Sequence, residues 1–520
     1  MPNGRAKFVT CLVAGFAGVY LAAAVSPLCA QALTPAPGEK ADSSDAGPSL
    51  AAMAEEARRF VERESPVSAF PFDTGRTGQG KTLVIAHYLP VFPLSIDNNP
   101  PNKDYYAAQY LVAAGEAGKH ARQRGFIRER PLVALPRRPL RWKQADLAVQ
   151  IARASRIGID AFGIDLLALG HDDLFETAAF GMLDAAHSVD GDFRIIPELD
   201  FGGLADKTAD DIADFLVRFG RRPAAYRLDD GRLLVIPLWA ESRPAGFWRE
   251  VMAKTAAHGM PIALVPDFLE TSKIDDLLPL AWGATVWGTR TPDAAGEYAR
   301  WPSSLASRGV RRWISPVSAQ DYRPKDGLIA EAVNSVSFRS QWTEAISSGN
   351  RMVHLLTWND YSEATQLGPS SFSQFAWYDL NAYYIAWLKR GSPPPLRSDA
   401  LYYIHRWQVV KLEDIRRGPP QKMWGGYPLH NEVELVALLT EPGTLSIRMG
   451  TQVISREVGA GLQTLRAPAL PGRPVFTLSR HGRTVLSEAS DWLIEANPAR
   501  HDATYGGGST TRHPAADPQE

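Results

Sequence analysis

Two carboxylic acids three residues apart, Asp360 and Glu363, lie in the run Thr357-Trp358-Asn359-Asp360-Tyr361-Ser362-Glu363. Such a pair can split a glycosidic bond: one carboxyl, protonated, gives its proton to the leaving oxygen, while the other, ionised, activates water or attacks directly. Trp358 and Tyr361 offer flat rings for the apolar face of a pyranose, and Asn359 offers an amide for a hydroxyl. A blander reading is helix capping, because an acidic residue followed three later by Glu resembles a capping box.

Similar residue types close other apolar runs. His87 and Tyr88 follow the first, Asp165 ends the second, and Glu198 and Asp200 end the third. Trp239 and Glu241 follow the fourth, Asp267 the fifth, Trp287 and Arg290 the sixth, and Ser318, Asp321 and Tyr322 the seventh. Asp360 and Glu363 are the expected reacting pair. His87, Tyr88, Asp165, Glu198, Asp200, Trp239, Asp267, Trp287, Trp358, Asn359 and Tyr361 are the expected substrate-binding set. Glu198 and Asp200 share a face if the strand runs through both. Either also reads as a structural ion-pair partner. His87 has no second ligand at metal-binding spacing, which leaves a sugar contact or a satisfied barrel histidine. His354, inside its run, and Asp160, before the end of its own, read as structural. No phosphate loop, nucleophile elbow or HExxH motif occurs, so neither a cofactor nor a metal is expected.

These residues need a frame that gathers strand ends. The apolar runs at 83–86, 159–164, 193–196, 233–236, 262–265, 284–287, 312–315 and 353–356 are continuous, as in strands buried on both faces. Amphipathic stretches at 146–156, 210–219 and 293–307 fall between them. The alternation predicts a (β/α)₈ TIM barrel over 81–398, whose site lies at the carboxyl ends of the strands. The long first connection must carry extra structure near the mouth. Beyond it, short alternating runs with Gly and Pro turns predict a small C-terminal antiparallel β-sandwich over 399–497. Residues 498–520, with three consecutive glycines, read as a disordered tail, and 33–80 as a linker with a short helix.

Composition narrows the partners. The net charge is -1, which argues against nucleic acid and anionic lipid. The only two cysteines, Cys11 and Cys29, lie in a segment with Arg5 and Lys7, an apolar stretch and Ala30-Gln31-Ala32. Residues 1–32 therefore read as a signal peptide, and the remainder as a secreted or periplasmic, cysteine-free, monomeric protein with a polysaccharide substrate.

The strand-eight run, followed by Leu367-Gly368-Pro369, resembles the corresponding motif of glycoside hydrolase family 71, the α-1,3-glucanases or mutanases. Val84-Ile85-Ala86-His87-Tyr88, Gly158-Ile159-Asp160-Ala161-Phe162, Ser315-Pro316-Val317-Ser318 and Glu432-Val433-Glu434-Leu435-Val436-Ala437-Leu438 match as well. The resemblance spans roughly 81 to 492. It implies that Asp360 and Glu363 are a catalytic pair and that hydrolysis inverts the anomeric centre. The chain departs from the family pattern at Ser362, Ala364-Thr365, Asp165 and 317–322, all on the expected cleft. Endo-α-mannosidases are a related barrel class. An inactive polysaccharide-binding protein is the alternative from outside enzymology.

Overall fold

The computed structural model describes residues 48–74, 82–134, 141–170, 173–410, 422–498 and 501–514. The segment read as a signal peptide lies outside them.

Nine parallel strands make eight staves: β1 (Leu83–Tyr88), β2 (Ala161–Leu166), β3 (Arg194–Asp200), β4 (Leu233–Leu238), β5 (Ile262–Leu264) with β6 (Asp267–Phe268), β7 (Thr285–Val286), β8 (Ser315–Val317) and β11 (Met352–Leu355). Each stave overlaps one of the apolar runs, although β6 lies beyond 262–265 and β8 shares only Ser315 with 312–315. β5 and β6 form one stave interrupted at Val265-Pro266, where proline supplies no ladder N–H. The order is β7-β6-β4-β3-β2-β1-β11-β8. The ring closes through a parallel bridge, Ala284 to Trp313, and through Thr285 Oγ1 donating to Ile314 O at 2.9 Å.

The period of two sorts the side chains. Leu233 and Val235 of β4 face the helices, while Leu234 and Ile236 face inward with Leu83, Ile85, Ala161, Ile196, Ala263 and Ile314. The outer layer comprises α1 (Leu50–Glu64), α2 (Trp142–Arg156), α3 (Leu174–Val189), α4 (Ala209–Gly220), α5 (Ala245–Ala257), α6 (Ala294–Tyr298), α7 (Trp301–Ala306), α8 (Val336–Ser347) and α9 (Ala376–Arg390). In α4, Thr208 and Asp211 form a capping box, and Ile212, Phe215, Leu216 and Phe219 make the buried stripe. The fold begins earlier than Lys81. Met53, Ala54, Ala57 and Val61 of α1 are buried, Glu64 pairs with Arg153 of α2, and Phe70 and Phe72 join the core.

The long first connection is tied to the loop after β11. Buried Glu129 accepts from Gln366, from Ser370, and from the N–H groups of Phe372 (3.1 Å) and Ser373 (3.3 Å).

Two antiparallel sheets follow. One orders β17 (Gly461–Pro468), β14 (Glu432–Leu439), β12 (Ala400–Arg406) and β20 (Tyr505–Ser509). The other orders β16 (Gln452–Val458), β15 (Gly443–Met449), β18 (Val475–Arg480) and β19 (Arg483–Ala489). Leu401, Tyr403, Leu435, Ile447, Phe476 and Leu478 lie between them, whereas Tyr402, Ile404, Val436 and Leu438 face the barrel core. β20 corrects the reading of 498–520 as a disordered tail. Its glycines are there for close approach, since a Cβ on Gly506 would sit 2.4 Å from the Phe372 ring and one on Gly508 2.3 Å from the Tyr403 hydroxyl. A third, three-stranded sheet joins β9 (Asp321–Arg323), β10 (Leu328–Ala330) and β13 (Lys422–Trp424). Among the described residues no helix is long and apolar enough to cross a membrane.

Candidate active site

Residues of inward parity at the strand ends meet inside the barrel. Glu198 sits between two imidazoles: His87 Nδ1 is 2.5 Å from its Oε2, and His354 Nε2 is 2.9 Å from its Oε1. Asp165 Oδ2 lies 3.8 Å from His87 Nε2, and Asp267 Oδ2 lies 3.9 Å from His354 Nδ1. Trp287 meets His87 edge to face at 5.1 Å. β3 does run through both Glu198 and Asp200, so they share the inner face, and Asp200 Oδ1 accepts from Gly202 N at 2.6 Å. Gly163 of β2 provides the room, because a Cβ there would fall 1.7 Å from Glu198 Oε1.

Electrostatics divide these groups. Burial alone would depress His87, but Glu198, then Asp165 and Asp360, outweigh it and lift the imidazole to about 9. Burial opposes the Glu198 carboxylate, yet His354 and His87 hold it down at about 2. Burial pushes Asp200 up to about 6. Burial, reinforced by Asp200, raises Asp165 well above the usual range; burial, reinforced by Glu198 and Glu241, does the same to Asp267. The buried cluster therefore combines a fixed ion pair with carboxyls that favour their protons.

The turn after β11 follows a cis peptide between Leu356 and Thr357. Thr357 Oγ1 accepts from Asp360 N at 2.9 Å, and Thr365 N donates to Asp360 O at 3.1 Å. Asp360 Oδ1 takes both the N–H (2.8 Å) and the hydroxyl (2.7 Å) of Ser362. Residues 361–364 form turns and not a helix, so the capping-box reading does not apply. Glu363 is buried, and its Oε1 meets Arg323 Nη1 at 2.8 Å. Burial raises Glu363 to about 7; Arg323 opposes the rise while Asp360 and Asp321 add to it. Asp360 acts electrostatically on Glu363, His87 and Asp165 alike, so the turn lies close to the buried cluster inside the barrel.

Four expected contacts are not brought to that cluster. Tyr88 has the opposite parity to His87 and packs on Phe162 at 5.0 Å. Trp358 is a core residue between Phe162 and Tyr378, its Nε1 donating to Gln150 Oε1 at 2.9 Å; it is no sugar floor. The Asn359 side chain clasps Leu89, accepting from its N and donating to its O, each at 2.8 Å. Tyr361 is buried against Phe92. The last three hold the turn in place. Trp239 closes β4 beside Trp287, with Leu238, Leu269 and Leu356 around them. Asp160 is structural as read, accepting from Val84 N at 2.8 Å and pairing with Lys389 at 2.5 Å.

Sequence reading missed His354 as a partner of Glu198, Gly163 as its clearance, and Arg323 altogether. Strand parity would have found His354, two residues before Leu356 on the inner face. His87, Glu198 and His354 offer donor atoms within 4.8 Å of one another, a set that a metal ion could use. Here the carboxylate is held by the two imidazoles, and an ion would have to displace them.

Residues 139–501 match glycosyl hydrolase family 71. A mutanase of Penicillium rubens is 24% identical over 386 residues, covering 66% of this chain and 79% of that protein. A glucan endo-1,3-alpha-glucosidase of Schizosaccharomyces pombe is 25% identical over 376 residues, covering 66% and 86%. Among solved structures, an endo-alpha-mannosidase of Bacteroides thetaiotaomicron overlaps 59% of this chain and 98% of its own at a TM-score of 0.45 and 14% identity.

Proposed function

The chain belongs to glycosyl hydrolase family 71 and is a glycoside hydrolase; from that premise we propose that it cleaves an α-1,3-linked glucan with inversion, Glu363 acting as general acid and Asp360 as general base. The observation that carries the assignment is the pair's shared, buried turn at the barrel mouth, in which burial pushes Glu363 to about 7. An acid that keeps its proton near neutrality suits donation to a leaving glycosidic oxygen. Asp360, fixed by two donors from Ser362, is placed to orient a water. The cationic His87 and the carboxyls around it would supply hydroxyl partners. The glucan preference draws support from the two fungal relatives, and export from the signal-like segment 1–32.

Reducing-end release on α-1,3-glucan, with mannan as control, tests the reading. Release from the glucan, with the β-anomer appearing first by proton NMR, is expected. Hydrolysis of mannan alone would reject the linkage, and an α-anomer first would reject inversion.

A further inference from the structure

We propose that Arg323 is a positioning residue for Glu363, and that the β-sandwich sets its place through the sheet β9-β10-β13. Arg323 is buried, and its guanidinium is committed on three sides. Nε and Nη2 fork onto Asp321 Oδ1 (2.8 Å) and Oδ2 (2.7 Å), while Nη1 reaches Glu363 Oε1 (2.8 Å). A two-point fork fixes the plane of the group, so the third nitrogen is aimed and not merely near. Asp321 is itself fully buried, with Arg290 Nε 3.6 Å away. The backbone repeats the tie, since Tyr322 N donates to Glu363 O at 2.8 Å. Oε1 of Glu363 is thereby held, and of the two carboxyl oxygens only Oε2, itself buried, is left without a hydrogen bond.

The hairpin carrying Arg323 is anchored from the other domain. β9 pairs antiparallel with β10, placing Arg323 opposite Leu328. β10 pairs parallel with β13, placing Ala330 opposite Trp424. The guanidinium groups of Arg323 and Arg290 each lie 5.8 Å from the Trp424 ring. Directly after β10, fully buried Glu331 accepts from Val333 N (2.8 Å), His430 N (3.1 Å), Arg406 Nη2 of β12 (3.0 Å) and the Tyr505 hydroxyl of β20 (2.7 Å). Two sandwich strands thus grip the hairpin that holds the carboxyl. A brace at this point acts on chemistry as well as on stability.

The charged groups facing Glu363 are Arg323, Lys325, Asp360 and Asp321. Arg323 favours the ionised form, so its loss lets the carboxyl keep its proton to higher pH. The kinetic arm rests on the glucanase reading and compares pH–rate profiles on α-1,3-glucan. Arg323→Met is expected to lower kcat at least about tenfold, to leave KM within about twofold, and to move the alkaline limb up by about one unit or more, the usual effect of an opposite charge at this range. Arg323→Lys keeps the charge without the fork, so the limb returns toward the parent's while kcat stays low. Tyr505→Phe should shift the limb the same way by less. An unmoved limb in Arg323→Met, whatever its kcat, overturns the positioning role. A Tyr505→Phe enzyme with the parent's kcat and limb overturns the link to the sandwich. The second arm needs no substrate: a thermal-unfolding cycle of Arg323→Met, Glu363→Gln and the double variant at pH 8. Non-additive Tm shifts support the pair, and additive shifts overturn it. If the parent cleaves no glucan, the functional reading falls and this cycle alone decides.

Discussion

Glu363 and Asp360 lie three residues apart in one turn, yet their neighbours treat them differently. Glu363 must be protonated to serve as acid, and burial puts its midpoint at about 7. Turnover should therefore be sustained below that pH and fall as pH rises through about 7, which a pH–rate profile will show. The ion pair beneath follows the opposite logic and reports on stability. His87 is raised from 6.5 to about 9, so its contribution is whole below about 6.5 and is lost as pH rises through about 9. Glu198 is lowered from 4.5 to about 2, so its contribution is whole above about 4.5. The Tm gap between the parent and Glu198→Gln should be widest between these limits and narrow on the alkaline side. A gap that is flat to pH 10 would contradict the pairing. The place of the acids was legible because a barrel gathers strand ends. Trp358 was misread because residue type says nothing of facing: it sits among Phe162 and Tyr378 in the core. Trp358→Phe leaves buried Gln150 Oε1 without its donor, so it should cost about 1–3 kcal/mol of stability, seen as a lower Tm, and leave KM for glucan unchanged.

At the level of elements, β2 and β3 depend on each other through one missing side chain. Gly163 faces Glu198 so closely that Gly163→Ala must displace the carboxylate from between its imidazoles. Overpacking of this kind costs about 1–3 kcal/mol, and turnover should fall with Tm; a variant with the parent's Tm would show that the contact relaxes freely. The eight staves could be read because strands buried on both faces leave unbroken apolar runs. Hairpin β9-β10 could not, since three-residue strands carry too little alternation. β20 was hidden for a different reason. Glycine normally signals freedom, but here Phe372 and Tyr403 leave no space for any larger residue.

Across the whole molecule the barrel and the sandwich share a boundary that runs through the site's support. β20 pairs with β12, and Tyr505 bonds Glu331 by its hydroxyl and Gln320 by its backbone (2.8 and 3.0 Å). Ending the chain at Pro498 should therefore cost at least about 3 kcal/mol, the scale of truncating one buried aromatic. Calorimetry showing an unchanged Tm would restore the tail to the role of a dispensable appendage. Acid and base must both be ionisable carboxyls, and the most direct measurement of that is kcat on α-1,3-glucan for Asp360→Asn and Glu363→Gln, each near-isosteric with the parent. Each should lose at least about a hundredfold, the lower range for a positioned acid or base, with Tm close to the parent's; near-parental turnover in either variant would contradict the assignment of that residue.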